Sequence, residues 1–182
     1  MTKKIAVFGI GNVLIGDDAV GPSIIRYLEA ACELPPEVTV EDIGTPSLDL
    51  AGRMAGYDAV IFVDAVSAKG EPGELRQYDR QQIVKNPPSL RMSPHDPSLK
   101  ETVILVELLP DGPSYITLIG IIPKSLDQFG LSEEVRSAVP AAVDRVLEEL
   151  ASLGVDAKRR EEVVLTPAFW DEIVAQPVEC YS

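Results

Sequence analysis

Ile5-Ala6-Val7-Phe8-Gly9-Ile10-Gly11-Asn12-Val13-Leu14-Ile15-Gly16-Asp17-Asp18-Ala19-Val20-Gly21 is the stretch whose reading decides the fold. Its opening run, Ile5 to Phe8, is apolar without alternation, as in a strand buried on both faces. Two glycines break the run and two adjacent aspartates follow. Beyond Gly21, Ile24, Ile25 and Leu28 recur at helical spacing, with Pro22 in the first turn, where proline is tolerated. Strand, glycine loop and helix make the opening unit of an open α/β sheet. Ligands of such sheets bind at the carboxyl ends of the strands, the region where Asp17 and Asp18 fall.

Gly9-x-Gly11 fits the first half of a dinucleotide fingerprint. The third glycine position is Leu14, and two carboxylates would repel a pyrophosphate, so the motif argues against a phosphate site. A carboxylate pair on a glycine-rich turn suits a cation better. The spacing equally allows Asp18 to be the N-cap of the following helix.

The 182 residues predict one domain with ample length for a core, and a 46% hydrophobic content predicts a folded chain. A net charge of −13 speaks against nucleic acid and anionic membrane as partners. No apolar run approaches the roughly 20 residues of a membrane span, and the N-terminus is too short and polar for a signal peptide. Cys32 and Cys180 do not make a disulfide framework and read as inert thiols, so a cytoplasmic protein is expected. The single histidine, His95, excludes a zinc site built on several histidines and HExxH chemistry. No G-x-S-x-G elbow supports a serine triad.

Further along, Val38 to Ile43 reads as a second strand and Ser47 to Met54 as a short helix. Ala59 to Val63 is an unbroken apolar run that stops at Asp64, a carboxylate either solvated at the sheet edge or working in a site. Glu74 to Tyr78 reads as an edge strand, Leu99 to Leu109 as a helix and Tyr115 to Ile122 as a buried strand. Prolines flank His95 in an ordered loop, and His95 reads either as an ordinary exposed histidine or as a functional one. Ser132 caps a long helix that Pro140 is expected to kink and Gly154 to end. The run Lys158 to Glu162 reads as solvated. The fold class is α/β: a single three-layer domain, residues 1–156, with an open, mostly parallel twisted sheet of about five strands and helices on both faces. Residues 157–182 form a tail of unknown role. Only a fold that gathers strand ends brings Asp18, Asp64 and His95 together.

Several motifs, in order, resemble those of the hydrogenase maturation endopeptidases. They are Gly9 to Leu14 with Asp17 to Gly21, Asp42-Ile43-Gly44-Thr45, Phe62 to Val66, Ser93-Pro94-His95, and Ile119 to Leu126. The resemblance implies a metal-dependent protease that removes the C-terminal extension of the nickel–iron hydrogenase large-subunit precursor after nickel insertion. It places the three metal contacts, which are also the catalytic positions, on Asp18, Asp64 and His95, with Asp17 and Asp42 as possible site-lining residues. Some members carry Glu where Asp18 stands, so the reach here is shorter by one methylene. The nickel would be supplied by the precursor, with another divalent metal possible in the isolated protein. Two carboxylates and an imidazole suit such borderline ions. A monomer is expected. A non-catalytic, metal-sensing escort of the precursor is the alternative reading.

Overall fold

The computed structural model describes residues 3–46, 49–86, 98–160 and 169. In chain order its elements are β1 (Ile5–Ile10), a 3-10 turn (Gly16–Ala19), α1 (Val20–Ala31), β2 (Cys32–Glu33), β3 (Val38–Gly44), α2 (Leu50–Met54) and β4 (Ala59–Ala65). There follow β5 (Leu75–Asp79), α3 (Arg80–Lys85), α4 (Leu99–Val106), β6 (Tyr115–Ile121), α5 (Glu133–Ser152) and β7 (Lys158–Arg159).

Every residue of β1 and of β4 is buried, because each is flanked by strands on both edges and by helices on both faces. The main sheet runs β3-β1-β4-β6-β5; its first four strands are parallel, and β5 pairs antiparallel on the edge. Residues of one parity, such as Val7, Ile61, Val63 and Ile119, pack beneath α1 and α5. Those of the other parity, such as Phe8, Val60, Phe62 and Leu118, pack beneath α2, α3 and α4. The expected three-layer α/β architecture with five strands is therefore present. The chain leaves β1 toward β3 on one side and returns to β4 on the other. The crevice between the carboxyl ends of β1 and β4 is thus the topological switch point of the sheet.

Ser132 caps α5 by accepting from the Val135 N–H at 3.4 Å. The helix continues through Pro140 to Ser152. It ends as expected at Gly154, whose φ of 89° lets Val155 N–H reach Leu150 O at 2.9 Å.

Two details differ from the sequence reading. The basic run is not simply solvated at Arg159. β7 pairs with β2, and the Arg159 guanidinium donates to Asp144, to Tyr27 Oη and, at 2.6 Å, to Pro140 O. It also lies 5.1 Å from the centre of the Tyr27 ring. Phe169 packs on the core beneath α1 and α5, while Trp170 and Cys180 lie outside the described residues. α3 has no counterpart among the expected elements, although Asp79 and Gln82 form a complete capping box at its start. Among the described residues, no helix is long and apolar enough to cross a membrane.

Candidate active site

The glycines of the opening motif serve close packing of helix on strand. A Cβ on Gly9 would lie 2.4 Å from Ile25 Cγ1, and one on Gly21 would lie 2.0 Å from Ile10 O. Gly11 has φ 141°, and its Cβ would strike the carbonyl of Asp18 at 1.9 Å. No side chain fits there. The motif draws α1 onto the end of β1 and folds the intervening turn back on itself, bringing the two aspartates to the switch point. Gly21→Ala forces backbone against backbone and is expected to cost about 2–3 kcal/mol, read as a fall in Tm.

The two aspartates then part. Asp17 is fully buried. Its Oδ2 accepts from Lys124 N–H at 2.8 Å, Ser125 N–H at 2.9 Å and the Ser132 hydroxyl at 2.9 Å, and its Oδ1 accepts from Ser132 N–H at 2.6 Å. That carboxylate staples the turn after β1 to the loop between β6 and α5. Asp18, 7% exposed, accepts on Oδ2 from Asn12 N–H at 2.8 Å. It does not cap α1, whose N-cap is Ala19 with no side-chain bond.

Asp64 has the parity of Val60 and Phe62, so it is directed to the face covered by α2, α3 and α4. β4 runs one residue beyond it, and at 2% exposure Asp64 is not a solvated strand end. Its Oδ1 accepts from Ala65 N–H at 2.6 Å. Its Oδ2 is buried with no partner, the one carboxylate oxygen so placed among the described residues. Burial pushes the Asp64 carboxyl well above the usual carboxylate range; the charge of Asp18 pushes it further, and the Ala65 N–H opposes both. Two neighbouring buried carboxylates, one of them with an idle oxygen, fit a cation.

Asp42 ends a different bond line. It pairs with Gly9 across the sheet, and its Oδ1 accepts from Gly44 N–H at 2.9 Å. Burial raises its carboxyl, partly offset by that N–H and by Arg26. It lines a cleft of about 290 Å³ between the 11–13 turn and the 42–45 loop. A larger hollow, about 590 Å³, lies at the opposite, amino-terminal edge of the sheet by Lys4 and Glu37, away from these carboxylates. Cys32 is buried, and burial is the main cause that raises its thiol, which suits an inert thiol.

His95 lies outside the described residues. Within the described residues, no three His, Cys, Asp or Glu side chains converge to hold an ion. Sequence reasoning missed Asn12, which ties Asp18 to the turn, and the second duty of Ser132 as a donor to Asp17. A GN dipeptide after a strand was the available signal for the first; nothing local announced the second.

The family profile described as HycI, hydrogenase maturation protease, matches residues 22–149. The chain belongs to the hydrogenase maturation protease family. It is a hydrogenase maturation endopeptidase acting on a large-subunit precursor. This maturation protease is 34% identical over 165 residues to the hydrogenase 2 maturation protease of Escherichia coli K12, covering 88% of this chain and 98% of that one. Its fold superposes on the hydrogenase maturating endopeptidase HybD from E. coli with a TM-score of 0.77 at 33% identity, covering 88% and 99% of the two chains. It matches the hydrogenase 2 maturation peptidase from a Thaumarchaeota archaeon with a TM-score of 0.62 at 36% identity, covering 82% and 99%.

Proposed function

We propose that this protease, acting as a cytoplasmic monomer, removes the C-terminal extension of a nickel-loaded nickel–iron hydrogenase large-subunit precursor. Asp18, Asp64 and His95 are the residues that engage the metal the substrate carries. The observation that carries this reading is Asp64: fully desolvated, with one oxygen unbonded, beside Asp18 at the switch point. Its cost in the free protein is relieved when a cation arrives. His95 falls in the segment joining α3 to α4, and both helices cover the face toward which Asp64 is directed. That connectivity supports its joining the two carboxylates.

The residues then have distinct work. Asp18 and Asp64 supply negative charge and hold the loaded precursor in register. A precursor without nickel gains none of these bonds and instead faces two repelling carboxylates, so it is rejected. Hydrolysis adds the hydroxyl of a water to the scissile acyl carbon and a proton to the leaving amine. The bound metal supplies Lewis acidity to the scissile carbonyl. A site carboxylate not engaged with the metal takes the proton of that water. The lone histidine, committed to the metal, is not spent on a serine or cysteine nucleophile.

The test is cleavage of nickel-loaded and nickel-free precursor, read by mass spectrometry of the C-terminus. Loss of the extension from the loaded form alone is expected. Binding without shortening would instead favour an escort. His95→Ala is expected to reduce processing by more than the roughly 100-fold that loss of an outer-shell partner costs, with Tm unchanged. Wild-type cleavage by that variant removes His95 from the site.

A further inference from the structure

Three large apolar side chains stand in solvent on the two loops that Asp17 joins: Leu14, 65% exposed, Ile15, 37%, and Phe129, 74%. Isolated exposed apolar residues are ordinary on a protein surface. Leu14 and Ile15 differ in being held out by a bonded turn tied to Asp18, and Phe129 stands on the loop that Asp17 bonds. Leu14 N–H donates to Asn12 Oδ1 at 2.9 Å, and Ile15 N–H donates to Asn12 O at 3.0 Å. The N–H of that same Asn12 donates to Asp18. The turn that presents Leu14 and Ile15 is thus tied directly to Asp18. On the other loop, Phe129 lies three residues before Ser132, whose N–H and hydroxyl both bond Asp17, and Ser125 O accepts from Asp17 N–H at 3.0 Å. Among the described residues, the remaining exposed large apolar side chains, Ile104, Leu105 and Leu108, lie on or just beyond α4.

We propose that Leu14, Ile15 and Phe129 form a preformed apolar platform that seats nonpolar side chains of the precursor next to its scissile bond. This rests on the function proposed above, which brings a protein chain to this edge of the sheet. The net charge of −13 repels acidic segments, so the occupant is a nonpolar stretch without acidic residues. Seating it against Leu14 loads the turn that Asn12 bonds to Asp18, so substrate docking and the site share one support.

Leu14→Ser and Phe129→Ser alter side chains already in solvent and leave the backbone bonds in place, so Tm is expected to stay within about 2 °C. Each is expected to raise KM for the loaded precursor by about 30-fold, the scale of one interface hot spot, with kcat within about two-fold. In an Asp64→Asn background, the Kd for the precursor is expected to rise by the same factor relative to Asp64→Asn alone. Leu108→Ser, just beyond the end of α4, is expected to change neither constant. Unchanged KM and Kd in both variants, while the wild type binds and cleaves, would overturn the platform and leave the protease reading standing. A loss in kcat at unchanged KM would also overturn it. If the wild type neither binds nor cleaves the precursor, both readings fall together.

Discussion

Asp64→Asn is expected to abolish processing of the precursor and at the same time to raise the Tm of the metal-free protein. The two effects have one cause. In the wild type a carboxylate is buried at 2% exposure with Oδ2 unbonded and with the charge of Asp18 acting on it. Asparagine keeps the oxygen that accepts from Ala65 N–H and replaces the idle oxygen with a neutral donor directed toward that negative region. Removing a charge that is desolvated and repelled stabilises the fold by about 1–2 kcal/mol, or roughly 2–8 °C for a chain of this length. On the function proposed above, Asp64 engages the substrate metal, so loss of that anionic contact is expected to remove activity. A variant that is more stable and inactive is the signature of a residue kept for function at a cost in stability.

The pH dependence has a definite sign. The folded Asp64 carboxyl binds its proton more tightly than the unfolded one. Below the ordinary carboxylate range both states are protonated and no penalty exists. As pH rises from that range to the raised folded value, the unfolded state releases its proton first and stability falls; above the folded value the full penalty is present. The gap between Asp64→Asn and wild type, measured with a chelator present, should therefore open from about pH 4 upward and then level off. A variant less stable than wild type at neutral pH would make Asp64 a structural hydrogen-bonding residue and would sink its assignment to the site.

Much of this architecture is legible in the sequence because parallel strands announce themselves. The unbroken, β-branched apolar runs of β1, β4 and β6 read as strands buried on both faces, and each lies where that reading puts it. α1 and α5 follow from stripes at helical spacing and from Ser132 at the N-cap. β2 and β7, two residues each, are too short for any periodicity, and Arg159 was read as solvated because nothing local shows Tyr27 and Asp144 waiting for it. At the site, the position of Asp64 at a strand end was readable and its burial was not, since burial depends on what packs above the sheet. The two adjacent carboxylates, Asp17 and Asp18, have different bonding. That is fixed by partners 107 to 115 residues away in sequence, beyond the reach of any motif.

Asp17→Ala is the second large effect, and it acts on stability. Four donors, the N–H groups of Lys124, Ser125 and Ser132 and the Ser132 hydroxyl, converge on the Asp17 carboxylate inside the protein. Truncation leaves them buried without an acceptor, frees the β6–α5 loop from the turn after β1, and removes an anion from beside the start of α5. Each bond to a charged acceptor is worth about 1.5–3 kcal/mol, and after partial rehydration a net loss of about 4 kcal/mol is expected. For a chain of this size that is a Tm decrease of roughly 8–16 °C. Asp17→Asn is not a conservative rescue. Whichever way the amide turns, its NH2 meets donors rather than acceptors, at Ser132 N–H on one side or at the Lys124, Ser125 and Ser132 cluster on the other. The asparagine variant should therefore lose nearly as much as alanine, whereas at Asp64 the same exchange should gain stability. Thermal melts of Asp17→Asn and Asp64→Asn, recorded side by side, should thus move in opposite directions. A shift in the same direction for both would mean that the two carboxylates do not divide the work as their bonding indicates.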